Sequence, residues 1–374
     1  MGDYGKVVTG NTPPTKDIEN YENGTYLWAS PADLGTHKLI SETKTKLSSK
    51  GFTKTRPLSK GSVLVTCIGS TIGKTGMATR EMSTNQQINS IVVNENNDNE
   101  FVYYVVQSAF PHYLSSIAVQ AVPIISKSSF ELLPSKRPSL QEQNKIGKFL
   151  SLLDERISTQ HRLIEDLKKF KCAIVENVLN NRHSRMIRLG DIGSYIRGLT
   201  YSSNDVVEQN GTFIMRSNNI VNGCSLDYYN DVVSVNKRIS KEQMLQNGDI
   251  IICMANGCSA LVGKSSFYDG KCPRSITVGA FCGIYRSEEP IVKWLFQTNR
   301  YRRYIWNSLQ GGNGAIANLN GEDILRMSFP IPDAPVKNNC VKLLTSVDFM
   351  IENATSLCVL YTSQKEYLLR QMFI

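Results

Sequence analysis

The chain has 374 residues, 41% of them hydrophobic, and a formal net charge of +9, so it can bury a core in more than one domain. It has no run of about 18 apolar residues and no charged segment leading into an apolar export signal, which predicts a cytoplasmic protein without a membrane span. The nine cysteines are odd in number, scattered and never spaced as Cys-x-x-Cys, a pattern that argues against a disulfide scaffold or zinc ribbon and for reduced thiols.

The chain opens on Met1-Gly2-Asp3-Tyr4-Gly5, with Gly10 and Thr12 following. From His37 to Leu58 a basic stretch carries Lys38, Lys44, Lys46, Lys50, Lys54 and Arg56 among Ser, Thr and Gly, a composition suited to phosphate contacts from a loop. Ser62 to Thr66 reads as a buried strand, Gly69 to Gly76 as a turn holding Lys74, and Ile88 to Val93 as another strand. Phe101 to Ser108 reads as an amphipathic helix that contains Gln107. Pro134 and Pro138 then interrupt the chain before a long helix whose apolar seam runs Leu150, Leu153, Ile157, Ile164, Leu167 and Ile174, in steps of three and four. Gln160 and Lys171 are polar interruptions of that seam.

About 190 residues on, the series returns. Leu189-Gly190-Asp191-Ile192-Gly193, with Gly198 and Thr200, repeats the opening. Arg216-Ser217-Asn218-Asn219 combines a guanidinium able to pair with guanine and amides able to pair with adenine, and Lys237 and Arg238 follow. Gly248-Asp249 leads into a strand at Ile250 to Cys253, a turn reaching Gly263-Lys264, then Arg274 and a strand from Ile276 to Cys282. Ile291 to Thr298 matches the first amphipathic helix, and Arg300, Arg302 and Arg303 read as its solvated end. Pro330, Pro332 and Pro335 precede the second long helix, with seam Leu344, Val347, Ile351, Cys358, Tyr361 and Leu368 and with Lys365 at the position of Lys171. At about 1.5 Å per residue, 40 helical residues make a strut of roughly 60 Å, and two such helices in one chain most simply pack on each other. Residues 1–140, 141–185 and 186–332 each carry three more basic than acidic residues, a spread that fits a polyanion partner.

Catalytic signatures are not visible. Gly73-Lys74-Thr75 lacks the glycine a Walker loop needs, since Ile68 stands there, and in Gly263-Lys264-Ser265 the same position is Cys258. Both segments run from strand to strand, not from strand to helix. The histidines His37, His112, His161 and His183 have no metal-ligand spacing.

Taken together, the Gly-Asp openings, Gly248-Asp249-Ile250-Ile251, Asn85-Gln86-Gln87-Ile88 and Pro138-Ser139-Leu140-Gln141-Glu142-Gln143 running into Ile146, Leu153-Asp154 and Ile157 resemble the specificity (S) subunits of type I restriction-modification systems. The second copy departs from this cadence, with Val336-Lys337 for Glu142-Gln143 and Cys340 for Ile146. The resemblance implies an α+β fold: two similar mixed α/β target recognition domains, 1–137 and 184–331, separated by two long spacer helices, 138–183 and 332–374, packed as an antiparallel coiled coil with a pseudo-two-fold internal repeat. It further implies a non-catalytic DNA-binding subunit that reads a bipartite double-stranded target and binds two methylation subunits, with restriction subunits an optional addition. S-adenosylmethionine would then sit on the methylation subunit, ATP and Mg on the restriction subunit, and no cofactor or metal on this chain. Because the basic loops of the two halves differ, the two half-sites should differ as well. A stand-alone sequence-specific DNA-binding protein and an enzyme using the Gly-Lys-Thr turn are the alternatives.

Overall fold

The computed structural model describes residues 1–116, 123–179, 184–208, 210–310 and 317–373, and the chain divides into two compact units. The first comprises Met1–Arg162 and Thr355–Ile374, the second Leu163–Ala354. His183 lies outside the described residues.

In the first unit the chain runs through β1 (Gly5–Thr9), β2 (Tyr26–Ala29), β3 (Leu39–Ile40), β4 (Thr45–Leu47), α1 (Ser49–Thr53), β5 (Val63–Thr66), β6 (Thr75–Ala78), β7 (Ser83–Thr84), β8 (Ile88–Val93), α2 (Asn99–Ser116), α3 (Lys127–Leu132) and into α4 (Leu140–Leu179). A five-stranded sheet has the order β1-β8-β5-β6-β3, and a three-stranded sheet the order β4-β2-β7. All four residues of β5 are buried because both faces of the large sheet are covered. Val63 and Val65 pack with Phe101, Val102 and Val105 of α2 and Leu150 and Leu153 of α4. Leu64 points the other way, into a second core with Leu27, Leu58, Met82 and Ile88.

The second unit continues from α4 through β9 (Arg185–Arg188), α5 (Leu189–Ile192), β10 (Ser194–Arg197), β11 (Thr212–Met215), β12 (Val233–Val235), β13 (Ile250–Cys253), β14 (Ala255–Asn256), β15 (Ser265–Phe267), β16 (Ile276–Val278), β17 (Cys282–Arg286), α6 (Val292–Leu295), α7 (Asn299–Gln310), β18 (Ala317–Asn318), α8 (Gly321–Leu325), β19 (Ser328–Ile331) and into α9 (Ala334–Met372). Its sheets, β10-β17-β13-β15 and β12-β11-β16, repeat the first unit's order. The edge strand β3 pairs parallel with β6, and in the second unit that pairing shrinks to a single parallel bridge, Ser225 with Phe267. Ile250 and Ile252 face one core while Ile251 and Cys253 face another, the same alternation as in β5.

Three expectations are corrected. Residues 37–58 are not a free loop, since β4 pairs antiparallel with β2 and Ser48 caps α1 by accepting from the Gly51 amide. Ile276 to Cys282 is not one strand: the chain leaves the small sheet after Val278, turns at Gly279, whose carbonyl accepts from the Cys282 amide, and enters the large sheet as β17. The helix expected at Ile291 to Thr298 is only α6, because Thr298 Oγ1 accepts from the Tyr301 amide and starts α7 as a new helix. α9 also contains an 18-residue stretch of mean hydropathy 1.3, apolar enough to cross a membrane by length and composition alone. Its Leu344, Val347, Ile351, Ala354 and Cys358 are buried in the protein.

Each unit contains an antiparallel pair of helical segments. In the first, Asp154 and His161 of α4 meet Lys365 and Cys358 of α9; in the second, Lys171 meets Asp348, and Val175 shares a core with Leu344. Of the predicted seam, Leu150, Leu153, Ile164, Leu167, Leu344, Val347, Ile351 and Cys358 are buried, and Ile157, Ile174, Tyr361 and Leu368 are half-buried.

Candidate nucleic-acid interface

The basic residues of the first unit separate into spent and available cations. Lys38 is spent: its side chain is 14% exposed, it is ion-paired with Glu100, and it donates to Tyr104 Oη at 2.9 Å. It is therefore an internal charge, which corrects its expected place among the phosphate contacts. Lys46 pairs with Glu42, Lys50 with Glu19 and Lys54 with Asp17, all near or at the surface. Such exposed pairs are screened by water and salt and hold weakly, so a phosphate can displace the carboxylate. Arg56 is exposed and donates through Nη1 to the Thr9 carbonyl at 2.7 Å. Lys44 and Lys74 are exposed, with no ion pair recorded among the described residues. The register places Lys44 at the start of β4, beside the end of β2, and Lys50 and Lys54 beyond the other end of the same small sheet.

In the second unit β11 pairs antiparallel with β12 and parallel with β16. That geometry gathers Lys237 and Arg238, which follow β12, and Arg274, which precedes β16, at the end of the sheet where β11 begins. Arg238 is exposed; Lys237 donates to the Thr200 carbonyl at 2.9 Å; the Arg274 guanidinium lies over the Phe213 ring, 4.9 Å from its centroid. Arg216 and Asn218 lie at the opposite end. Asn219 is 1% exposed, accepts from the Arg216 amide and donates to the Asn230 carbonyl, so it builds the turn and cannot reach a base edge, a second correction. The Arg216 guanidinium donates to the Asp231 carbonyl at 2.9 Å, and Asn218 is exposed. Lys264 is half-buried.

The two Gly-Lys turns connect antiparallel strands, β5 to β6 and β13 to β15. Their glycines answer to backbone geometry: Gly73 has φ +92° and Gly263 φ +79°, and a Cβ on Gly263 would stand 2.7 Å from Ile305. Asp249 of the Gly-Asp-Ile-Ile segment is likewise structural, buried and accepting from Arg286 Nε and Nη2, at 2.8 and 2.7 Å.

Sequence reading missed how the helices are fastened to the sheets. Gln143 is 1% exposed and bonds Asn97, the Asp98 amide and the Pro138 carbonyl, tying the start of α4 to that of α2. In the second copy Lys337 stands there and pairs with Glu289 at 2.6 Å, just before α6, so the departure in sequence replaces an amide tie with an ionic one. Deeper along the helices, Asp154 accepts from Tyr104 and pairs with Lys365, while Asp348 accepts from Trp294 and pairs with Lys171 and Lys293. Burial, then the Asp154 carboxylate, pushes the Tyr104 hydroxyl far above the usual phenol range. The signal was visible in the equal spacing from Asp154 to Asp348 and from Lys171 to Lys365.

Residues 1–169 match the family model for the type I restriction modification DNA specificity domain. The chain is similar to the MjaIX specificity subunit of Methanocaldococcus jannaschii, at 29% identity over 47% of this chain and 41% of that one. It is also similar to the EcoKI specificity subunit of Escherichia coli, at 32% identity over 38% of this chain and 31% of that one. The matched segments thus span less than half the length of these relatives. The fold resembles that of the S subunit from M. genitalium, with a TM-score of 0.63 and 16% identity over 99% of this chain and 93% of that one.

Proposed function

We propose, for a chain that belongs to the specificity-subunit family of type I restriction-modification systems, that it selects the DNA sequence on which a partner methyltransferase acts. Each globular part reads one half of a bipartite duplex, and the helices that join them set the spacer and dock two methylation subunits. The observation that carries this reading is the duplication itself, one sheet plan made twice in a chain with two different sets of surface cations. Phosphate contacts from Lys44, Lys74, Arg238 and the exchangeable Lys46, Lys50, Lys54 and Lys237 supply affinity, whereas Asn218 and Arg216 are placed to read bases.

Because the two cation sets differ, the half-sites differ and the target is asymmetric. Chemistry resides on partners: S-adenosylmethionine on the methylation subunits, ATP and Mg on any restriction subunit that joins. The working compartment is the cytoplasm, where the DNA is. The test is a map of methylated bases in a methylation-free bacterial host expressing this chain with the methyltransferase encoded beside it. A split motif with an undefined spacer, lost when this chain is omitted, is the expected result. A palindromic motif would refute the asymmetry, and a motif that persists without this chain would refute the role.

A further inference from the structure

In each unit one carboxylate joins the helix pair to the sheets, and the same three kinds of donor converge on it. Asp154 accepts from Tyr104 Oη at 2.5 Å and pairs with Lys365 Nζ at 2.6 Å, while Lys38 Nζ, whose nearer partner is Glu100, stands 3.9 Å away. Asp348 takes Trp294 Nε1 at 3.0 Å, Lys171 Nζ at 3.0 Å and Lys293 Nζ at 2.9 Å. Each set has one lysine from the antiparallel helix, one aromatic donor from the helical segment that follows the large sheet, and one lysine from the globular part. The aromatic donors differ in chemistry, O–H against N–H, yet occupy the same place in the repeat.

Apolar packing between helix and sheet is strong but without direction, so it tolerates a pivot. A carboxylate held at once by the antiparallel helix and by the globular part does not: any rotation leaves a poorly hydrated charge without its partner. Adding one base pair to a spacer moves a half-site by about 3.4 Å and turns it by about 35°. A recognition domain free to pivot by that amount would accept neighbouring spacers. We propose that Asp154 and Asp348 are positioning residues that fix the angle of each recognition domain on the helix segments of its own unit, and so hold the target to one spacer length. The inference rests on the function proposed above.

The experiment expresses the intact chain, Asp154→Asn and Tyr104→Phe, each with the partner methyltransferase, and maps methylated motifs by long-read sequencing, with thermal unfolding of the purified complexes in parallel. In both variants, methylation at spacers one base pair longer or shorter should rise about tenfold relative to the correct spacer, the loss of a charged hydrogen bond being of that order, with the half-site bases unchanged. Wild-type spacer discrimination in both variants, or a uniform loss of methylation at an unchanged spacer, would overturn the proposal, because a merely structural Asp154 alters the amount of folded protein and not the spacing. If the unaltered chain directs no split motif, the underlying reading falls and the proposal with it. Tyr104→Phe removes one oxygen and keeps the ring, so it reports even where Asp154→Asn does not accumulate.

Discussion

Asp348→Ala is expected to be among the most damaging single substitutions in the second unit. Asp348 and Lys171 have side chains only 9% exposed. Removing the carboxylate leaves Lys171 Nζ with the Gly223 carbonyl at 3.4 Å, and Trp294 Nε1 loses its acceptor. Lys293, at 24% exposure, can turn toward water. Breaking a buried pair from one side costs about 3–5 kcal/mol, and for a unit of this size each kcal/mol lowers Tm by about 2–4 °C. A fall of roughly 6–20 °C in the transition of the second unit follows. Calorimetry measures it, and urea unfolding followed by tryptophan emission localises it, since Trp294 touches the altered group. Lys171→Met combined with Asp348→Leu removes both charges at similar volume and should recover most of the loss. A cost below about 1 kcal/mol for Asp348→Ala, or a double variant no better than the single one, would refute the reasoning.

Thiol chemistry should follow burial. Cys172 and Cys258 are exposed and should label within minutes, as read by peptide mass spectrometry; buried Cys67, whose thiol is pushed up to about 12 by burial, should label only on unfolding, as should Cys253 and Cys282. Burial likewise pushes the Tyr103 and Tyr285 hydroxyls up to about 12. The folded value lies above the unfolded value of about 10, so their contribution is complete below pH 10 and is lost as pH rises toward 12; tyrosinate absorbance and circular dichroism should change together in that window. For DNA binding, Lys44→Gln and Arg238→Gln should each lower the slope of log affinity against log salt by about 0.9 while the methylated motif stays the same. A changed motif would place those side chains at bases.

The large-scale plan was legible because periodicity and repetition are properties of sequence. The seam from Leu150 to Ile174 could only be a helix with one apolar edge, and the buried run at Val63 only a strand covered on both faces. What escaped was fixed by tertiary partners. Nothing local distinguishes Lys38, a buried charge, from Lys44, an exposed one six residues on, because the difference lies in Glu100, brought beside Lys38 by the fold. Asn219 reads as a recognition amide until the turn it caps is seen. The break between α6 and α7 hangs on one threonine hydroxyl. Strand Ile276 to Cys282 split because the chain turns between Gly279 and Cys282 and changes sheets, and composition does not reveal that choice.

The division of the chain between its units has a consequence for synthesis. The second unit is contiguous, Leu163–Ala354, whereas the first needs Thr355–Ile374 from the end of the chain. Asp154 and Lys365 are separated by 211 residues. At roughly 5–20 residues per second on the ribosome, the first half waits about 10–40 seconds for the lysine that pairs with its half-buried aspartate. The part translated first is thus finished last: once Ala354 has been added the second unit has all its residues, while the first still lacks Thr355–Ile374.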